Sequence, residues 1–250
     1  MSELQIMKPF IGGAFVDSTS DQFTTVYDPS TGHPLAKVPK CTKEEVEQAI
    51  ACAKAAFPAW KNTPVRKRAA IMMKLRNLIE RDMDELTRIC ATENGKCWTE
   101  AAGDVGKALE MTELACSAPS LLMGESLMDT SSGYDTTLYR EPLGVFAGIA
   151  PWNFPAMIPV GWMAPLAIVC GNTFVLKPAS TTPMTCLKFA QLYKEAGIPD
   201  GVFNIVPCSR GEAELLLTHP DVRGITFVGS TDVGKHVYAT AAAHGKRVQC

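Results

Sequence analysis

Three short polar clusters, each directly behind a hydrophobic run, are the places in this chain where side chains could do chemistry. The first is Pro151-Trp152-Asn153-Phe154-Pro155, where an amide fixed between aromatics and prolines has two N–H donors in a rigid turn. Such an amide suits polarising a carbonyl oxygen or stabilising an oxyanion. It can equally satisfy the backbone of its own turn. The second cluster is Lys177-Pro178-Ala179-Ser180. A lysine just past a buried strand is placed to bond ribose hydroxyls or meet a phosphate, and it also marks where such a strand reaches water. The third, Val228-Gly229-Ser230-Thr231-Asp232-Val233-Gly234-Lys235, offers a tight strand-to-helix turn, two hydroxyls and free helix N–H groups to a phosphate. It is neither a P-loop nor G-x-G-x-x-G, so a plain capped helix accounts for it as well.

The elements that must hold these clusters are legible around residues 142–176, a stretch without a single charged residue. Pro151, Pro155, Pro159 and Pro165, with Asn153 and Asn172, rule out one membrane-spanning helix, because each interruption would leave backbone carbonyls unpaired in lipid. The pattern instead predicts a strand over 143–150, a helix over 156–170, a turn at Gly171-Asn172 and a second strand over 173–177, one βαβ unit. The alternation continues with helices over 182–196, 212–218 and 231–243 and strands over 202–206, 224–228 and 246–249. The second half therefore reads as a Rossmann-like α/β fold, a doubly wound parallel sheet with flanking helices. In such sheets ligands bind beyond the carboxyl ends of the strands, where all three clusters fall.

The first half is predicted to carry an N-terminal β-ribbon and helices. Residues 10–16 alternate around Gly12-Gly13, a hairpin expected on the domain surface, and 28–32 form a turn. Thr42-x-x-Glu45 is a capping box, and helices follow over 65–81, 83–93 and 99–122. Residues 131–141 are polar and alternating, an exposed ribbon in need of a partner strand.

Composition removes several function classes. A hydrophobic share of 46% and a net charge of −2 over 250 residues fit a sizeable soluble core and argue against a nucleic-acid face. The basic run Arg66-Lys67-Arg68 is interleaved downstream with Glu80, Asp82, Asp84 and Glu85, the pattern of a solvated helix face. Nine scattered cysteines without a C-x-x-C pair speak against a disulfide framework and a zinc centre, so no metal site is expected. Cys52 and Cys170 read as core residues, and the four histidines as surface positions. The first residues show neither an apolar signal core nor early arginines, which points to the cytoplasm, or to the mitochondrial matrix if a targeting peptide precedes this sequence.

Taken together, PWNFP, LKPAS-x-TP, GVFNIV and FVGSTDVG resemble, in order and spacing, the aldehyde dehydrogenase superfamily. Glu93-Asn94-Gly95-Lys96, residues 118–124 and Lys246-Arg247-Val248-Gln249 are most similar to its CoA-acylating methylmalonate-semialdehyde branch. The resemblance implies NAD as cofactor, with NADP possible, and CoA as co-substrate. It implies Asn153 as the oxyanion amide, Lys177 as the ribose-binding lysine, Ile149 and Trp152 along the nicotinamide, and Ser180, Gly229, Ser230 and Gly234 in the dinucleotide pocket. It further implies a homodimer or homotetramer built through the ribbon at 131–142, with 1–130 and 143–250 forming the dinucleotide-binding domain.

Three departures qualify it. Ser180 stands where many members carry a glutamate that repels a 2′-phosphate, so NADP acceptance is expected. Cys208 replaces a glycine and narrows the adenine side. Lys107 falls where the methylmalonate branch has an arginine for the substrate carboxylate, keeping the charge but not the bidentate fork. Family members are also about twice as long, and the domain with their nucleophilic cysteine has no counterpart before Cys250. A cofactor-binding fragment, inactive on its own, is therefore expected. The rival expectations are a succinate-semialdehyde-type dehydrogenase preferring NADP and a non-catalytic dinucleotide-binding module.

Overall fold

In the computed structural model, which describes residues 4–250, a seven-stranded sheet joins five strands of the second half of the chain to the N-terminal hairpin. Its strands are β1 (Phe10–Ile11), β2 (Ala14–Phe15), β7 (Val145–Ile149), β8 (Thr173–Lys177), β9 (Phe203–Ile205), β10 (Val222–Phe227) and β11 (Arg247–Gln249), in the order β11-β10-β7-β8-β9-β1-β2. The five from β7 to β11 are parallel. The chain lays β7, β8 and β9 side by side and then returns to the other flank of β7 for β10, so the winding reverses between β7 and β10. That is the switch point at which doubly wound sheets open a crevice.

Alternation within the buried strands builds two cores. Phe174 and Leu176 of β8 point into one, with Phe203, Ile205, Met72, Leu75 and Phe189. Val175 points into the other, with Val145, Ala147, Ile225, Val46 and Ile50. Helices α2 (Val65–Arg81), α4 (Trp98–Cys116) and α7 (Met184–Ala196) cover the first face; α1 (Lys43–Lys61), α8 (Arg210–Thr218) and α9 (Thr231–Ala243) cover the second. Between α2 and α4 runs α3 (Met83–Asn94), ended by Gly95 at φ 77°, a left-handed cap that suits glycine. The capping box of α1 forms as expected: the Thr42 amide donates to Glu45 at 2.8 Å and the Glu45 amide to the Thr42 hydroxyl at 3.3 Å.

Several expectations are corrected. The Gly12-Gly13 hairpin is not a surface ribbon: Phe10 and Ile11 are buried, and β1 joins β9 antiparallel, because Phe10 and Phe15 stack against the first core. A second hairpin, β3 (Phe23–Tyr27) with β4 (Pro34–Pro39), flanks the expected turn. The helix expected over 156–170 splits into a π-helical segment, Met157–Met163, and α6 (Ala164–Val169). Pro159 withholds a backbone donor there, and Gly161 lies so close to α4 that a Cβ would stand 2.8 Å from the Ala108 backbone. The long helix ending near 122 stops at Cys116 and resumes as α5 (Ala118–Leu121). The exposed ribbon begins earlier than read and supplies its own partner, β5 (Ser126–Ser131) pairing with β6 (Tyr134–Thr137). Cys52 and Cys170 are only half-buried.

Candidate cofactor site

The last residues of three adjacent strands lie in one row: Phe227 pairs with Ile149, and Ile149 with Lys177. This row borders the switch point, and beyond it the second and third polar clusters come together. A cavity of about 320 Å³ is lined by Ile149, Lys177, Ser180, Arg210, Glu214, Val233 and His236, between the strand ends and helices α8 and α9. On the other side of α9 lies a cavity of about 520 Å³ lined by Phe227, Gly229, Ser230, Gly234, Tyr238 and Cys250. Ile149, Lys177 and Ser180 thus line one cavity and Gly229, Ser230 and Gly234 the other, and the two cavities share the start of one helix.

Lys177 is half-buried, and its ammonium has no hydrogen-bonding or ionic partner among the described residues. Burial holds its ammonium below the usual lysine range, and the Cys208 sulfur would offset this only if ionised. That thiol is pushed up to about 12, first by its own burial, and stays neutral. A lysine left without a counter-charge at a strand end lacks only a polar ligand. Ser180 is exposed beside it.

At the helix start, Ser230 occupies the cap position in an extended conformation, but its side chain does not bond the first turn. The leading N–H groups of this 13-residue helix stay available for an anion. Gly229 lets the loop pass close to the ring of Phe227, since a Cβ there would come within 2.4 Å of it. His236, expected merely on the surface, faces Glu214 with its Nε2 at 2.8 and 3.0 Å from the two carboxylate oxygens. One helix turn brings it to the cavity from α9 and another brings Glu214 from α8, a convergence that no local spacing announces.

Trp152 and Asn153 are exposed and line neither cavity, although they continue directly from β7. The Asn153 side chain makes no hydrogen bond among the described residues, so its donors are not spent on its own turn. Its neighbours on either side are held by a set of polar contacts that the sequence did not reveal. Asn94 donates to the Trp152 carbonyl at 2.7 Å, and the Lys96 ammonium sits 3.8 Å from the centre of the Phe154 ring. Lys107 stands elsewhere, exposed on α4 and paired with Glu110 at 2.6 Å.

The family model for the aldehyde dehydrogenase family matches residues 15–250. The chain belongs to that family. This aldehyde dehydrogenase chain is 50% identical to malonate-semialdehyde dehydrogenase 2 of Geobacillus kaustophilus (strain HTA426) over 246 residues, covering 98% of the chain and 51% of the relative. Its fold is similar to the crystal structure of methylmalonate-semialdehyde dehydrogenase from Oceanimonas doudoroffii, with a TM-score of 0.95, 41% identity, and coverage of 98% and 50%. It is likewise similar to a Sinorhizobium meliloti 1021 chain described as a methylmalonate-semialdehyde dehydrogenase and complexed with NAD, with a TM-score of 0.96, 38% identity, and coverage of 100% and 51%. The chain spans about half the length of the relatives it matches. No helix among the described residues is long and apolar enough to cross a membrane.

Proposed function

We infer that this chain is the cofactor-binding part of an NAD(P)-dependent enzyme that oxidises malonate or methylmalonate semialdehyde to an acyl-CoA. The observation that carries the reading is the unpaired, half-buried Lys177 beside Ser180 at the switch point, next to a helix start with free N–H groups. Those residues fit a dinucleotide: Lys177 and Ser180 would hold the adenosine ribose, the Thr231 end of α9 the pyrophosphate, and the Ile149 and Trp152 backbone the nicotinamide side. A bound nicotinamide would supply the acceptor for a hydride from the substrate. Asn153 would then donate from its free amide to the substrate oxygen as negative charge gathers there. The semialdehyde is carried over from the names of the relatives and CoA from the resemblance to the CoA-acylating branch, and Lys107 is the chain's candidate for the substrate carboxylate.

The ribbon extends the reading to assembly. All residues of β5 and β6 are exposed, Leu127, Met128 and Tyr134 among them, and an isolated two-stranded hairpin is marginal in water. A second copy of this chain is proposed to cover it.

The test is semialdehyde oxidation by the protein purified from its natural source, with NAD or NADP and with CoA present or withheld. NAD-dependent formation of the acyl-CoA supports the reading. A preference for succinate semialdehyde with NADP would favour the related dehydrogenase that Ser180 suggests.

A further inference from the structure

Two consecutive turns of chain converge on the residues either side of Asn153. The end of α3 supplies Asn94, which donates to the Trp152 carbonyl at 2.7 Å, and Lys96, whose ammonium lies 3.8 Å from the centre of the Phe154 ring. Lys96 is anchored from behind by Asp104 of α4 at 2.9 Å, a carboxylate with no exposed side-chain surface. Asp104 also accepts the Met157 amide at 2.7 Å and the Cys90 thiol at 3.4 Å, so it fixes the start of the π-helical segment with the same group. On the cofactor side, Thr182 donates to the Trp152 carbonyl at 3.4 Å. Glu93, one residue before Asn94, accepts the Met184 and Thr185 amides at 2.7 and 2.8 Å at the start of α7. The four residues 93–96 thus grip both the turn carrying Asn153 and the helix that follows the Lys177–Ser180 loop.

A buried ion pair of this kind is weak support for stability, since desolvation consumes most of its attraction. Its yield here is geometric: the ammonium is aimed at an aromatic face instead of water, and the carboxylate is fully engaged. We propose that Asn94 and Lys96 are positioning residues that hold the turn at 151–155 so that the Asn153 amide faces the end of β7. The proposal rests on the reading of that turn as the wall of the reaction centre.

The test uses the isotope-labelled 250-residue chain, observed by nuclear magnetic resonance and hydrogen exchange with and without NAD. In the parent, NAD is expected to shift the Asn153 side-chain amide, which is to appear as one sharp pair of signals. In Asn94→Ala and in Lys96→Met, that pair is expected to broaden or split, and the amides of 152–154 to exchange about ten-fold faster, while β8 stays protected. Lys96→Arg, which keeps the cation over the ring, is expected to restore the parent signals. If Lys96→Met fails to fold because Asp104 loses its partner, Asn94→Ala decides alone. Unchanged Asn153 signals and exchange in the folded variants would overturn the positioning role. NAD that shifts signals around Lys177 but not Asn153 in the parent would instead overturn the reading of the turn, and the proposal with it.

Discussion

Ile149 at the end of β7 is the in-register neighbour of Lys177 at the end of β8. That pairing sets an apolar side chain and an uncompensated ammonium on one rim of the crevice, where a ligand with an aromatic part and hydroxyls or phosphates can satisfy both.

Lys177 is accordingly the most consequential side chain for affinity. Lys177→Met keeps the stem and removes the charge, and NAD affinity is expected to fall by about ten- to a hundredfold, the worth of hydrogen bonds from a charged donor. Calorimetric titration checks it; an affinity within a factor of two of the parent would place the dinucleotide elsewhere.

Ser180 governs the choice between the two dinucleotides. A glutamate in its place would accept from a ribose hydroxyl and repel a 2′-phosphate, so Ser180→Glu is expected to weaken NADP binding about a hundredfold while leaving NAD within a few-fold. Parallel titrations with both dinucleotides decide, and equal losses for both would show that Ser180 does not face the 2′ position.

Glu93 should make stability fall as pH rises. Burial raises its carboxyl to about 7, against the opposing pull of the Met184 and Thr185 amides. Its folded form therefore holds a proton that the unfolded chain has released. The stabilisation is full below the ordinary glutamate range and is lost between about pH 4.5 and 7, on the order of 3 kcal/mol in all. Chemical denaturation across that window should show a steeper decline for the parent than for Glu93→Gln; parallel slopes would contradict it.

Gly161 is expected to tolerate no side chain. Its Cβ would meet the Ala108 backbone at 2.8 Å, and backbone cannot swing aside. Gly161→Ala should cost about 1–3 kcal/mol by forcing α4 and the π-helical segment apart. A thermal melt unchanged from the parent would refute this.

Much of this arrangement was legible because the buried strands are continuous apolar runs ending at polar residues. Val145 to Ile149 and Thr173 to Lys177 announce both their type and where they surface. Thr42 with Glu45, Gly95 and Gly197 mark helix ends by local chemistry that nothing distant overrides. The β3–β4 hairpin was less visible, since Thr24 and Thr25 are half-exposed and carry little alternation. The least legible features are those made by convergence. Lys96, Asp104 and Phe154 come from three separate elements, as do Lys177, Glu214 and His236, and only the packing of α4, α8 and α9 brings each set together. The position of Asn153 was evident, but its unspent donors were not.

The most direct measurement is a calorimetric titration of the 250-residue chain with NAD, followed by an assay of the same sample for semialdehyde oxidation. Among its cysteines, burial raises the thiols of Cys41, Cys90, Cys186 and Cys208, so none of these four stands ready as a thiolate nucleophile. The expected result is binding at one site, abolished or strongly weakened in Lys177→Met, without turnover. Absence of binding by the folded chain, or binding indifferent to Lys177, would contradict a cofactor site at the junction of β7, β8 and β10.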